Sequence, residues 1–371
     1  LGTNNGFANI KDNVWTLYFS ENTPLEEDDI RAIACEKNGT KWFGSLFYGL
    51  IKYFNKEWTV YTLDNSPLTS RQINCITIDE NSNKWIGMSS GGIDTGGLIK
   101  ISNDNIWTVY NSSNSDLPYN NVSCVSIDKS GIIWVGTRKG LVKIENDIWT
   151  VFDTTNCDLP DSWICSLAVD NTNTLWIGTR YKGLVKYDSQ NWTVYNDENS
   201  GIPDNCVFAI AIDTSNSLWL GTMYGGLTKY DGTDWTSFNC INSGMPGSYT
   251  TNICIDHNNT RWVTSTSINS GGLALFNENG LIGINETEQL TETNLVSVFP
   301  NPVNNYLNVN INAENILFTI SITDISGKAI QIISTFKSQK TIDVSGLPVG
   351  LYMISVSHKK KTLGTKRFIK I

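Results

Sequence analysis

Short apolar runs rich in β-branched and aromatic residues alternate along the chain with clusters of Asn, Asp, Ser and Gly. No stretch shows a sustained helical period with caps. The segment around Trp176 is representative. An apolar run from Ile164 to Val169 gives way to the polar turn Asp170-Asn171-Thr172-Asn173-Thr174. Leu175-Trp176-Ile177-Gly178-Thr179, Gly183-Leu184-Val185-Lys186-Tyr187 and Trp192-Thr193-Val194-Tyr195 follow. Four short runs joined by polar turns predict four antiparallel strands.

This pattern repeats. Trp-x-Gly-Thr or a near variant stands at Trp42, Trp85, Trp134, Trp176, Trp219 and Trp262, with gaps of 43, 49, 42, 43 and 43. A Trp-Thr-x-Tyr-like run opens at Trp15, Trp58, Trp107, Trp149, Trp192 and Trp235 with the same gaps. The two columns shift together across the irregular gap, so one structural unit is repeated. A period in the low forties made of strand formers predicts propeller blades. Counting the second strand at Gly2, Gly44, Gly87, Gly136, Gly178, Gly221 and Thr264 gives seven units. The first lacks its innermost strand, and the last has only a weak outer run at Leu281-Ile282-Gly283-Ile284. The chain opens inside a unit, with no initiating Met and no signal sequence, so the natural start is expected upstream.

The pattern then changes. Residues 281–295 are polar and acidic and read as a linker. From Val296 onward there are 9 Lys and Arg against 3 Asp and Glu, leaving 18 and 33 of the whole-chain 27 and 36 before it. Apolar runs at Leu307–Ile311, Leu317–Thr323, Leu351–Val356 and Phe368–Ile371 suit a small β-sandwich. The expected fold is all-β: a seven-bladed β-propeller over 1–280, a linker over 281–295 and a C-terminal β-sandwich over 296–371.

Two resemblances rest on these residues. Trp-Ile-Gly-Thr, Gly-Leu-x-Lys-Tyr, the loop Asn199-Ser200-Gly201-Ile202-Pro203-Asp204-Asn205 and the run Ala209-Ile210-Ala211-Ile212-Asp213 resemble the two-component regulator propeller repeat. That family forms periplasmic sensor rings of hybrid histidine kinases and occurs in secreted proteins. The tail resembles the type A sorting domain of the type IX (Por) secretion system. The matching residues are Val298-Phe299-Pro300-Asn301-Pro302-Val303, Ile322-Thr323-Asp324-Ile325-Ser326-Gly327-Lys328, Ile342-Asp343-Val344-Ser345-Gly346-Leu347, Gly350-Leu351-Tyr352 and Lys366-Arg367-Phe368-Ile369-Lys370. The resemblance implies a Bacteroidota-type bacterium, a type IX translocon as partner and an address outside the cell or on its surface.

Composition narrows the function. A net charge of −9 argues against nucleic acid, whose phosphates need a basic face. No run approaches the length of a membrane-spanning helix. Of eight cysteines, Cys75, Cys124 and Cys254 occupy small-residue columns of the inner strand and read as buried packing. Cys157 and Cys240 lie in loops and can pair or stay free. The two histidines, His257 in a turn and His358 in the tail, are not placed for Ser-His-Asp or Cys-His chemistry. Streptogramin lyases, a propeller family of similar look, need such a histidine. Turns such as Asp79–Asn83 and Asp170–Asn173 begin like a calcium loop but lack its Gly and distant Glu. No cofactor and no metal site is expected.

Repetition separates packing residues from the rest. Twelve of thirteen tryptophans fall in the two columns; Trp163 stands where other units carry Asp29, Gln72, Asn121, Cys206 and Tyr249. Loops from the fourth strand to the next first strand share a face with turns between second and third strands. That face gathers Phe47, Tyr48, Arg138, Lys139, Trp163, Arg180, Tyr181, Lys182, Tyr224 and Tyr249. Aromatic rings stack on sugars and Arg or Lys bind carboxylate or sulfate, so a non-enzymatic glycan- or peptide-binding propeller is expected. The alternatives are a carboxylate-only lyase or hydrolase using Asp28, Asp29 or Asp94, and a structural surface adhesin.

Overall fold

The computed structural model of the chain describes residues 2–3, 6–11, 14–18, 23, 29–89, 95–243, 245–266, 271–277, 280–282, 296–300, 303–311, 317–324, 328–358 and 361–371. The chain divides into two compact units, Leu1–Gly283 and Ile284–Ile371. Among the described residues every regular element is a strand. The expected linker falls largely at 283–295, outside the described residues.

Seven antiparallel sheets build the first unit, among the described residues, six of four strands and one of three. Sheet 1 holds Gly2–Thr3, Gly6–Lys11 and Val14–Tyr18. Sheets 2 to 7 open with Ile30–Cys35, Ile73–Ile78, Val122–Ile127, Ile164–Val169, Val207–Ile212 and Tyr249–Ile255. Strands pair in chain order within each sheet, and the first strands of successive sheets lie side by side. This is an all-β propeller, as the repeat predicts. The weak outer run of the last unit forms the short strand Gly280–Ile282.

Packing explains the repeated residues. Trp42, Trp85, Trp134, Trp176 and Trp219 are buried between sheets. The second column (Trp58, Trp107, Trp149, Trp192 and Trp235) is half-buried, each ring against an aromatic of the preceding sheet, as in Tyr61–Trp107 at 5.2 Å and Tyr195–Trp235 at 5.8 Å. The side chain of Trp15 lies outside the described residues. Glycine follows the buried tryptophan because the next sheet presses on it: a Cβ at Gly136 would stand 2.7 Å from Ile164, and one at Gly221 2.7 Å from Thr250.

The Asp turns serve the same packing. Asp170 accepts backbone N–H bonds from Thr172 and Thr174 at 2.8 and 2.9 Å and the Trp176 indole N–H at 2.9 Å. Asp79, Asp128, Asp213 and Asp256 repeat the indole bond. The turn closes through a residue at positive φ, Asn173 at 66° and Asn216 at 65°, which Asn tolerates. The lone pairs that suggested a calcium loop are spent on the protein's own donors.

All eight cysteines are free. Burial pushes the Cys75 thiol up to about 12 and Cys124 up as well, as expected of packing residues. Cys254 departs from that reading. It is exposed.

The second unit has a three-stranded sheet, Val296–Phe299, Tyr306–Ile311 and Gln339–Asp343, and a four-stranded sheet, Ala329–Thr335, Phe318–Thr323, Gly350–His358 and Lys361–Lys370. Both sheets send apolar side chains into one core that includes Leu307, Val309, Phe318, Ile320, Ile342 and Phe368. Two strands not read from the sequence, Ala329–Thr335 and Gln339–Asp343, expose most of their side chains and alternate only weakly. Motif residues 301–302 and 325–327, and Lys359-Lys360, lie outside the described residues.

Candidate functional site

Backbone hydrogen bonds tie the two kinds of loop into one face. Leu46 N donates to Asp29 O, Ser89 N to Gln72 O, Arg180 N to Trp163 O and Met223 N to Cys206 O, at 2.9–3.2 Å. Three columns therefore form its floor: the residue before the first strand, one on the first strand, and the residue after the second strand. The strand position is a bulge. The ladder between first and second strands skips Arg31, Asn74, Ser123, Cys165, Phe208 and Thr251. A bulge frees that side chain from the ladder and turns it toward the neighbouring sheet. Asn74 Nδ2 thus donates to Val122 O at 2.8 Å, and Phe208 packs on Tyr249 at 5.3 Å.

Sheets 4 to 7 fill this floor with cations and rings. Trp163 is half-buried. The Arg138 guanidinium lies over its ring at 4.7 Å and that of Arg180 at 5.6 Å. Tyr181 meets Trp163 edge-on at 5.9 Å. Arg180 also lies 5.0 Å from the Phe208 ring and 5.6 Å from Tyr181. Lys139 sits 5.0 Å over Tyr119.

Carboxylates position these loops without neutralising them. In Pro160-Asp161, the Asp161 carboxylate accepts the backbone N–H of Trp163 and of Tyr181, both at 2.9 Å. In Pro203-Asp204, Asp204 does the same for Cys206 at 3.0 Å and Tyr224 at 2.6 Å. Each aspartate staples the two loops of one sheet together. Neither Arg138 nor Arg180 forms an ion pair among the described residues. Burial opposes the charge of Arg180, but a side-chain hydrogen bond to Tyr181 and the nearby Cys206 sulfur hold its pKa above the ordinary value.

The structure thus brings together Arg138, Trp163, Arg180 and Tyr181, with Tyr249 behind Phe208. Tyr224, 75% exposed, and Lys182 stand at the rim. Phe47 and Tyr48 belong to the corresponding turn of sheet 2, and the Trp163 cluster is built without them. Phe208, Tyr119, Cys165 and Cys206 join the face although sequence reasoning did not select them. The bulge column held the signal for Phe208, since it alone is aromatic there. Asp29 pairs with Arg31 at 3.5 Å; Asp28 and Asp94 lie outside the described residues. His257 is an exposed turn residue, and the His358 ring pairs with Leu317 O at 2.8 Å in the second unit.

Residues 116–139, 158–181 and 201–224 match the two component regulator propeller family, and residues 297–370 match the secretion system C-terminal sorting domain. The chain carries regulator-propeller repeats followed by a sorting domain that directs secretion to the cell surface or outside. Each matched repeat ends in the turn that supplies the face. Among the described residues no helix is long and apolar enough to cross a membrane. No curated protein matches the chain in sequence.

Among solved structures, the extracellular domain of a candidate hybrid two component system from B. thetaiotaomicron is 18% identical with a TM-score of 0.62, over 100% of this chain and 53% of that one. PorZ, a surface component of the type-IX secretion system of Porphyromonas gingivalis, is 16% identical with a TM-score of 0.53, over 93% and 51%. Virginiamycin B lyase from Staphylococcus aureus is 13% identical with a TM-score of 0.54, over 68% and 82%. These likenesses speak for the fold, and the chain spans about half the length of the first two.

Proposed function

We propose that this secreted propeller binds an anionic extracellular glycan, bearing uronate or sulfate groups, on the face around Trp163, without chemical turnover. One observation carries the reading: two guanidiniums with no carboxylate partner among the described residues lie over a single indole on a strongly acidic chain. A guanidinium presents a planar fork of donors that matches carboxylate or sulfate. In this reading Trp163 holds the two arginines by cation–π attraction, and the exposed rings of Tyr181 and Tyr224 meet sugar faces at the rim. Lys139 and Lys182 extend the basic strip, while Tyr249 supports Phe208. Phe47 and Tyr48 offer a separate contact for a long polymer. The sorting domain is handled by the type IX translocon.

Titration calorimetry with a soluble polyuronate tests the reading. A charge-assisted hydrogen bond is worth about 1.5–3 kcal/mol, so Arg138→Gln with Arg180→Gln should weaken binding by at least tenfold. Equal affinity of the double variant and the parent would overturn it. Steady release of new reducing ends from the polymer would overturn the non-enzymatic part alone.

A further inference from the structure

Cys165 and Cys206 are the one place where the floor columns of neighbouring sheets bring two thiols together. The corresponding bulge and next-sheet residues elsewhere are Arg31 with Gln72, Asn74 with Asn121, Ser123 with Trp163, and Phe208 with Tyr249. Cys165 is the bulge residue of sheet 5, outside the ladder to Leu175–Thr179. Cys206 directly precedes the first strand of sheet 6, its N–H fixed on Asp204. Their chain neighbours pair directly, Ser166 Oγ donating to Val207 O at 3.2 Å, which sets the two cysteines side by side. Arg180 Nη1 stands 3.2 Å from Cys206 Sγ, while its Nε–H is buried with no partner.

We propose that Cys165 and Cys206 form a peroxide-reactive dithiol, with Cys206 attacking, Cys165 resolving and Arg180 holding the attacking thiolate. The Cys206 thiolate attacks one oxygen of hydrogen peroxide. The O–O bond breaks, and the departing oxygen leaves as hydroxide, which takes up the thiol proton to give water and a sulfenic acid on Cys206. The Cys165 sulfur, losing its proton, then attacks that sulfur; the S–O bond breaks and a second water leaves. Two thiols and one peroxide become one disulfide and two waters, a step typical of a thiolate next to a resolving cysteine. The disulfide crosslinks the first strand of sheet 5 to the loop that leads into the first strand of sheet 6.

Electrostatics agrees with the division of roles. The hydrogen bond from Cys165 and then, against burial, the Arg180 guanidinium hold the Cys206 thiol below the ordinary range, and Cys165 is pushed up in turn. The charged and titratable groups around the pair are Arg180, Asp204, Tyr249 and Cys124. Cys75 and Cys124 have no such cation and are held protonated by burial. Cys35 and Cys240 are exposed, and among the described residues neither sulfur is hydrogen-bonded to a cation.

The full reduced chain, treated with one equivalent of hydrogen peroxide, tests this. Peptide mapping should find a Cys165–Cys206 disulfide first, the mass falling by two hydrogen atoms. Cys165→Ser, a residue the repeat already carries at Ser123, should leave Cys206 as a sulfenic acid captured by dimedone. Arg180→Gln should slow the reaction about tenfold near neutral pH and move its rate profile to higher pH, with unchanged tryptophan fluorescence reporting an intact fold. Oxidation of Cys35 or Cys240 ahead of this pair, or an Arg180→Gln profile identical to the parent's, would overturn the proposal.

Discussion

Replacing Arg261 by Leu should leave the propeller as stable as the parent, although Arg261 is almost fully buried and ion-paired. Arg261 opens the second strand of sheet 7 and reaches across to sheet 6, where Nη2 meets Asp213 Oδ2 at 2.5 Å and the guanidinium lies 4.6 Å over Trp219. Its Nε and Nη1 are buried without partners. Each such orphan costs about 1–3 kcal/mol, comparable to the gain from the pair itself. The repeat supplies the control. The same position is Leu175 in sheet 5 and Leu218 in sheet 6; in the preceding sheets Asp128 is satisfied by indole and backbone donors alone, and Asp170 by these and the Thr172 hydroxyl. Asp213 has the same donors, Trp219, Ser215 and Ser217, and so keeps its charge satisfied without Arg261. Arg261→Leu should therefore fall within about 1 kcal/mol of the parent, whereas Arg261→Ala, which opens a cavity against Trp219, should lose about 2–4 kcal/mol. Urea unfolding followed by tryptophan fluorescence gives both values. A loss above about 3 kcal/mol for Arg261→Leu would refute the argument, since it would mean that Asp213 depends on the arginine.

Three further expectations follow from packing, titration and domain structure. Trp176→Ala, which empties a buried site, should cost about 3–5 kcal/mol in urea unfolding, and Trp163→Ala about 1 kcal/mol or less; equal costs would make Trp163 a core residue. Asp170, Asp213 and Asp256 have folded pKa values below the ordinary range, burial being outweighed by the indole and backbone bonds. Their stabilisation is full above the unfolded-state value of about 3.9 and fades as pH falls through the folded values, so the urea midpoint should drop below about pH 4, less so in Asp170→Asn. Deleting 296–371 should leave the first unit folded but retained in the periplasm, read by protease accessibility on intact cells; normal surface display would contradict the sorting role.

The sequence made the propeller legible because its signal is periodic. Trp176 and Gly178 recur wherever a second strand must bury an indole and admit the neighbouring sheet, so repetition alone separates these constraints from everything else. The site was legible only in part, and for the same reason. Trp163 broke its column and was visible; Phe208 broke the bulge column, but a bulge is recognised only from the ladder that skips it. The contact of Arg138 with Trp163 joins two sheets, and the Cys165–Cys206 pair depends on which way a bulged side chain turns. In the tail, Ala329–Thr335 and Gln339–Asp343 were missed because they expose most of their side chains and carry little hydrophobic alternation.

The measurement that bears most directly on the anion-binding face is a comparison of one polyuronate with its carboxyl-reduced counterpart, titrated into the full chain at low and high salt. The two polymers share their sugar faces and differ only in charge. The account predicts that the acidic polymer binds at least about tenfold more tightly at low salt, and that the difference narrows as salt screens the exposed Arg138 and Lys182. Equal affinity for the two polymers at both salt concentrations would contradict it.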